Sequence, residues 1–587
     1  MEKPEATPMM KDVQIVDPDG FLKDVRQKLW RGQSYDAMFH ELAKLVFCKW
    51  YAEQQNKPFN INTYKELWEE ARKTFRDQAG VEFTKIEEYS DNRIQDTVGL
   101  LSKYKVSGNN QLQHIMQAAW LNKTANKKDG QYFTPPFIKK FMIEAYQPQS
   151  DQTICDPCGG SGGFLIEAAD HLGVINNPKL LHYYDIDASK AFKSAKMAFV
   201  MHMHKSGVNL AGIEAKAQDS LATEWDTKMD RTYTNVPFGV RITDKKILEK
   251  FKTGCVNGKP KAGELSQVLF LEKCIQELTP TGKFATVVDK GVVTNDRLVE
   301  DRKHISKLAY LELVVELPGD AFTYCADTSF PTYLLFFSKT QVSKTYFAKV
   351  ENLGYDDSGF GSSPSDDHNF SPQYEKESWE KSDFVKILKE FADGTLPSVD
   401  YNRIIETGSW HYGAHKYNSW SGKRLKDLAT IIENDYDGKN ILNPTVDRQF
   451  KIISETHLNP KCKTQALELN CILMSRLLSD QQSPCCGIVT QSFGGAGCTD
   501  ENYVIKPKND ACKILLWHLI NFDDKTSEYL HDNSKGQGRG RIKIEDLLNM
   551  PIYDVSIDKL KKSQEIINLL AKKIAIDEAI LAKISSI

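Results

Sequence analysis

The chain has 587 residues, enough for three or four domains at roughly 100–200 residues each. Hydrophobic residues make up 41% and charged residues 26%, an ordinary globular balance that excludes low-complexity and collagen-like classes. The net charge of −3 is uneven: residues 351–400 alone carry 12 acidic and 4 basic side chains, which leaves the remainder near neutral. No run approaches the roughly 18 apolar residues of a membrane-spanning helix, and the polar, acidic N-terminus lacks the apolar core of a secretory signal. Twelve cysteines fall in no regular framework, and Cys155-x-x-Cys158 has no second pair to complete a zinc site. The expectation is a cytoplasmic protein with reduced thiols, no metal and no membrane.

Residues 12–120 have apolar side chains at three- and four-residue spacings, as in AMFHELAKLVFCKWYAEQ and YKELWEEARKTF. An N-terminal helical domain is predicted over 1–125. From about 126 to 345 short apolar runs alternate with helical stretches. TICDP precedes SGGFLIEAADHL, LLHYYDID precedes SKAFKSAKMAFVMHMHK, and RTYTNVPFG precedes QVLFLEKCIQELTP. This alternation predicts a mostly parallel sheet with helices on both faces. Residues 346–405, rich in Gly, Ser, Asp and Pro, read as an acidic linker. Residues 406–553 are mixed α/β and turn-rich, and 554–587 form a last helix. Its apolar positions Leu560, Ile567, Leu570, Ile574, Leu581 and Ile584, interrupted by Ser563 and Asp577, make a half-regular heptad stripe over about 42 Å.

The chemistry concentrates around Asp156-Pro157-Cys158-Gly159-Gly160-Ser161-Gly162-Gly163-Phe164, a glycine-rich turn between a strand and a helix. Glycines there let a ligand approach the backbone. A phosphate loop would require GxxxxGK[ST], and GxGxxG fails at Ser161. S-adenosyl-L-methionine (AdoMet), whose amino-acid part needs no phosphate cradle, is the remaining nucleotide-like ligand. Asp185, 29 residues after Asp156 at the end of the next strand, is placed to accept hydrogen bonds from ribose hydroxyls, or simply to cap the following helix. Asp219 follows in AQDSL. Asn235-Val236-Pro237-Phe238 then closes a strand. Asn235 and the Val236 carbonyl can accept from an exocyclic amine, Pro237 stiffens the turn, and Phe238 offers an aromatic face to a base. Read alone, such a tetrapeptide is also a common turn.

Taken in this order, residues 130–340 resemble the catalytic domain of N6-adenine DNA methyltransferases, and most of all the modification subunit of type I restriction–modification systems. Gly130-Gln131-Tyr132-Phe133-Thr134-Pro135-Pro136 is similar to that family's segment beside the methionine part of AdoMet. The turn around Asp156, Gly159 and Gly162 is similar to its first AdoMet motif, and the tetrapeptide at 235–238 to its catalytic motif. Val236 stands where the family usually has proline, and Gly160-Ser161 is a milder departure. Residues 410–587, with GQGRGR at 536–541 and the final helix, resemble half of a specificity subunit.

The resemblance implies a Rossmann-like AdoMet-dependent α/β core, an N-terminal helical domain, and a C-terminal mixed α/β target-recognition domain followed by a long helix. It implies methyl transfer to adenine N6 of flipped bases in double-stranded DNA within a restriction–modification or phage-defence system. Cofactor contacts fall to Tyr132, Phe133, Thr134, Asp156, Gly159, Gly162, Asp185 and Asp219, and catalysis to Asn235, Val236, Pro237 and Phe238. One recognition domain and one helix per chain imply a homodimer packed along the helix stripe, with a separate restriction or specificity subunit as a further candidate partner. The alternative is a catalytically inactive DNA-binding subunit, suggested by Val236.

Overall fold

The computed structural model describes residues 35–79, 92–103, 134–187 except 174, 212–322, 331–354, 378–416, 421–432 and 502–585 except 536–538, with shorter stretches between them. Two compact units result: 1–292 with 297–408, and 293–296 with 409–587.

The first unit opens with helices α1 (Tyr35–Gln54), α2 (Tyr64–Ala79) and α3 (Arg93–Leu101). On α1 the buried side chains Leu42, Leu45, Val46 and Trp50 recur at helical spacing. Trp30 donates through Nε1 to Thr97 Oγ1 at 3.1 Å, which fixes α3 against residues preceding α1.

A nine-stranded sheet follows. Its strands are β1 (Ile154–Asp156), β2 (Leu181–Asp185), β3 (Glu214–Ala217), β4 (Met229–Asn235), β5 (Leu278–Asp289), β6 (Tyr310–Glu316), β7 (Thr332–Ser338), β8 (Lys344–Lys349) and β9 (Ser398–Asp400). They are ordered β9-β8-β6-β7-β5-β4-β1-β2-β3. β1 pairs parallel with both β2 and β4, Ile154 lying opposite Leu181 on one side and Arg231 on the other. β7 runs antiparallel between β5 and β6. The chain leaves β1 toward β2 and β3, then returns to place β4 on the opposite side. A crevice therefore opens beyond the C-terminal ends of β1 and β4, where open α/β sheets bind ligands.

Helices α4 (Pro136–Tyr146), α5 (Gly163–Leu172), α6 (Ser266–Gln276), α7 (Val299–Leu308), α8 (Asp383–Ala392) and α9 (Tyr401–Thr407) accompany this sheet. Phe141 of α4 packs on Phe336 at 5.7 Å and on Phe384 of α8 at 5.0 Å. The described part of 346–405 is thus no linker. Phe384 is fully buried, β9 pairs with β8, and the Tyr401 hydroxyl donates to the carbonyls of Ser306 and Ala309. Six of the twelve acidic residues that suggested a linker fall in 355–377, outside the described residues. The apolar residues of DFVKILKEFA carry α8 into the core.

The second unit contains a four-stranded antiparallel sheet, β10 (Ala429–Ile432), β11 (Ile472–Ser475), β12 (Cys486–Ile488) and β13 (Asn502–Pro507), ordered β10-β13-β11-β12. It also has α10 (Asp510–Phe522), α11 (Asp524–Asp532) and α12 (Ile557–Ser585). Asn509 caps α10 by accepting from the Cys512 amide at 2.9 Å. The Asn521 carboxamide bonds both the amide and the carbonyl of Cys486, tying α10 to β12.

The last helix forms as expected, but the stripe assigned to a dimer axis is engaged within the chain. Ile567 and Leu570 pack against this unit's own core, and Ser563, 3% exposed, hydrogen-bonds His518 of α10 at 2.8 Å. Ser563, which looked like an interruption, is therefore a polar contact of the packed face. The side chains of Ile574, Leu581 and Ile584 lie outside the described residues. A different arc is exposed: Ile566 at 41%, Leu569 at 64%, Ile576 at 59% and Ile580 at 51%. Among the described residues no helix is long and apolar enough to cross a membrane.

Candidate active site

The turn after β1 is built from backbone constraints. Gly160 and Gly162 have φ of +48° and +76°, the left-handed region that favours glycine. Gly162 is also the residue from which α5 starts. At Gly159 an added Cβ would collide with the Tyr183 ring, so β2 and the turn approach as closely as a missing side chain allows. Four bonds close the arrangement. The Gly159 amide donates to the Tyr184 carbonyl at 2.9 Å, and the Gly162 amide to the Gly159 carbonyl at 2.7 Å. The Tyr183 hydroxyl donates to the Gly160 carbonyl at 2.7 Å, and the Gly160 amide to Asp185 Oδ2 at 2.8 Å.

This turn forms one wall of a cavity of about 580 Å³, within the range of small-molecule sites. Of the expected cofactor residues, Thr134, Asp156, Gly159, Asp185 and Asp219 line it. Gly162 does not; it lies behind the wall, where a Cβ would meet the Phe199 ring. Tyr132 and Phe133 lie outside the described residues. Asn235, Val236 and Pro237, at the end of β4, line it as well. Phe238 is not part of the lining. Its ring is 9% exposed and packs edge-on against Phe322, centroids 6.0 Å apart. The expectation that it offers a face to a base is not met in this conformation, because after the rigid Pro237 its side chain enters the apolar core.

Ile186, Asp187, Ser266 and Phe270 also line the cavity and were not singled out from the sequence. Ile186 is 70% exposed, an apolar surface at the tip of β2. In the sequence only its place directly after the strand-end carboxylate was visible, not its exposure. Ser266 had none, being far along the chain from the turn it serves. Its hydroxyl donates to the Pro237 carbonyl at 2.9 Å and its amide to the Val240 carbonyl at 2.9 Å, which clamps the tetrapeptide from behind.

Electrostatically the cavity is one-sided. Asp156, Asp185, Asp187 and Asp219 line it, and among the described residues its lining includes no lysine or arginine. Asp156 is 2% exposed, and burial pushes its carboxyl up to about 7, against the opposing pull of the Thr234 hydroxyl, the Cys158 amide and the Lys139 ammonium. Burial also raises Asp185, although the amides of Asp187 and Gly160 favour its charged form. Asp219 accepts from the amides of Leu221 and Ala222 at 2.9 and 3.2 Å, which sets the turn after β3. Such a cavity disfavours phosphates and suits a ligand carrying positive charge. Burial raises the thiols of Cys155 and Cys158 well above their usual range, so neither is poised as a nucleophile.

Residues 115–385 match the family model described as N-6 DNA Methylase. Two relatives are methylase subunits of type I restriction enzymes. That of EcoEI from Escherichia coli is 27% identical over 223 residues, covering 37% of this chain and 44% of that one. That of HindI from Haemophilus influenzae is 27% identical over 238 residues, covering 39% and 51%. The chain spans about half the length of these relatives. Among solved structures, the type IIL restriction-modification enzyme MmeI, solved in complex with DNA, is similar with a TM-score of 0.51. That likeness covers 96% of this chain and 92% of the other at 10% identity, and it is one of fold. The match to the N-6 DNA Methylase model falls almost wholly within the first unit, the one that holds the nine-stranded sheet and the cavity.

The buried Asp156 makes a pH prediction. Its folded pKa lies above the unfolded value of 3.8, so the native state is relatively favoured below about pH 4 and loses that stability as pH rises through about 7. Asp156→Asn removes the loss. Without cofactor, the variant should melt about 5 °C above the parent at pH 8 and level with it at pH 4, measured by scanning calorimetry. An equal difference at both pH values would contradict a carboxyl that is neutral at the lower one.

Proposed function

We propose that the protein is a site-specific DNA methyltransferase that moves a methyl group from AdoMet to adenine N6 in duplex DNA. The observation that carries this reading is the cavity itself: four aspartates and no lysine or arginine on its described lining, which also includes Asn235. AdoMet bears a sulfonium and an ammonium, and its ribose needs acceptors, so the lining fits it where it would repel a phosphate-bearing nucleotide.

AdoMet, when bound, supplies an electrophilic methyl group. The chain's residues do the rest. Asp185, at the tip of β2, takes the ribose hydroxyls through lone pairs that its two backbone donors leave available. Ile186 covers the cofactor's adenine. Asp156 and the turn at 159–163 hold the amino-acid end, and Thr134 closes it. The target adenine must leave the stack to reach the crevice. Asn235 Oδ1 and the Val236 carbonyl accept the hydrogens on N6 and stabilise the positive charge that develops there. Val236 in place of proline keeps that carbonyl, and the Ser266 clamp keeps the turn rigid. The family match and the type I relatives support adenine as acceptor and a restriction–modification setting, with a restriction or specificity subunit as a further partner.

Asn235→Ala should lower kcat at least 100-fold and leave AdoMet affinity within about two-fold, because the lost acceptor acts on the developing charge. Long-read sequencing of DNA from a host expressing the chain alone would report the methylated base and site. Absence of N6-methyladenine, with intact AdoMet and DNA binding, would favour the inactive DNA-binding subunit instead.

The second unit is read as a single target-recognition domain with its own helix, and two copies pair through α12. Support comes from the exposed arc Ile566, Leu569, Ile576 and Ile580, whose spacings of 3, 7 and 4 suit a helix–helix seam. Two-fold pairing makes the recognised site palindromic or interrupted-palindromic. Leu569→Asp with Ile576→Asp should convert the dimer to monomer in light scattering and leave the melting temperature within about 2 °C, since both side chains point away from the core. A parent chain that is monomeric on its target DNA would defeat the pairing.

A further inference from the structure

The 25 residues between Val240 and Ser266 leave the cavity wall and return to it. Val240 and Ile242 line the cavity at one end and Ser266 at the other. The base of this excursion is narrow. Arg241–Ile242 pairs antiparallel with Glu264–Leu265, and the Arg241 guanidinium donates to the Gly263 carbonyl at 2.7 Å. Whatever the excursion presents is therefore mounted beside the mouth that holds Asn235.

Its charge is lopsided. Residues 240–262 contain seven basic side chains, Arg241, Lys245, Lys246, Lys250, Lys252, Lys259 and Lys261, against Asp244 and Glu249. All but Lys261 are exposed. Lys261 is engaged, with Glu264 at 2.6 Å and Asp301 at 3.2 Å. Among the described residues no salt bridge involves Lys245, Lys246 or Lys259. The rest of the first 350 residues is close to neutral, so this concentration is local to the rim.

The excursion is also held rigidly. Glu272 of α6, 1% exposed, accepts from the amides of Lys252 and Thr253 at 3.0 and 2.8 Å, from the Thr253 hydroxyl at 2.7 Å, and pairs with His304 at 3.2 Å. Beyond this anchor, Cys255–Val256 pairs with Lys259–Pro260 in a hairpin. Asn257 and Gly258 at its turn both have positive φ, 51° and 74°, the geometry of a tight two-residue hairpin. Val256 stands 57% exposed at the tip beside Lys259. A buried carboxylate spent on fixing an exposed basic loop indicates that the loop's position matters, and a cationic rim beside a cavity whose described lining has no lysine or arginine separates two ligands by charge.

We propose that residues 240–262 are the element with which the methyltransferase unit grips the phosphate backbone of duplex DNA next to the extruded adenine, Lys245, Lys246 and Lys259 each neutralising a phosphate. The proposal rests on the reading of the cavity as a DNA adenine methyltransferase site. Phosphate contacts of this kind orient the duplex without reading its sequence. They release counterions, so each contributes about −0.9 to the slope of log affinity against log salt.

The test compares the full chain with its Lys245→Gln, Lys246→Gln, Lys259→Gln triple variant by fluorescence anisotropy on labelled duplex DNA across a salt series. The triple variant should bind on the order of 100-fold more weakly at about 100 mM salt, on target and unrelated duplexes alike, with the slope smaller by about 2.7. AdoMet titration and melting temperature should be unchanged. Lys259→Gln alone should lower the slope by about 0.9. A control variant carrying Lys349→Gln, Lys386→Gln and Lys389→Gln, cations on β8 and α8 away from the rim, should keep the parent slope. An unchanged slope in the first triple variant overturns the assignment, as does an equal loss in the control, which would make net charge the cause. A parent chain that binds duplex RNA more tightly than duplex DNA, the loss appearing only on RNA, also overturns it. Methyl transfer by the parent is measured alongside. If the parent methylates DNA and the slope is unchanged, the docking assignment alone falls; if the parent transfers nothing to DNA while the triple variant still loses about 2.7 from the slope, the methyltransferase reading alone falls.

Discussion

The first unit depends on the close approach of two backbone segments, the turn 159–163 and the tip of β2. Tyr183 donates to the turn and Asp185 accepts from it, so the two strand ends hold each other. A Cβ at Gly159 would force Tyr183 away and open that contact. The parallel pairing of β1 with β2 and β4 then sets the remaining geometry, because it fixes Asn235, at the end of β4, beside the strand that leads into the turn. Backbone and sheet register, rather than any flexible side chain, determine how far Asn235 lies from the turn. On the proposed reading, that is the preorganisation that transfer between two bound ligands requires.

Charge divides the same region. The cavity is lined by aspartates, and Asp156 is buried deeply enough to titrate near neutrality. The rim beside it is basic and exposed. A small cationic ligand and a large polyanion can then occupy adjoining positions without competing, each drawn to the surface that complements it. The buried Glu272 links the two by holding the rim through backbone amides while sitting on α6, the helix whose first residue clamps Pro237.

Much of this was legible in the sequence where chemistry and local geometry coincide. Gly160 and Gly162 need positive φ, Asp185 ends an apolar strand, and Asn235 closes another, so their positions follow from short-range pattern. What stayed hidden depends on long-range packing. The acidity of 351–400 masked a core helix, because charge averaged over fifty residues says nothing of the ten that form α8. Phe238 has the composition of a stacking residue, but Phe322, far along the chain, draws its ring into the core. The apolar positions of α12 were all visible, yet which arc faces its own unit was set by His518 and the α10 surface. A polar residue within such a stripe is ambiguous in the same way: Ser563 marks the packed face, not a break in it.

On the proposed reading, a cavity whose described lining carries four aspartates and no lysine or arginine should hold a positively charged nucleoside. Isothermal titration of the purified chain with AdoMet, ATP and NAD, repeated on Asp185→Ala, tests it most directly. The expected result is one AdoMet site per chain, weakened at least ten-fold by Asp185→Ala through the lost ribose hydrogen bonds, and no measurable heat with ATP or NAD. Binding of ATP or NAD that AdoMet fails to displace, or AdoMet affinity unchanged by Asp185→Ala, would contradict it.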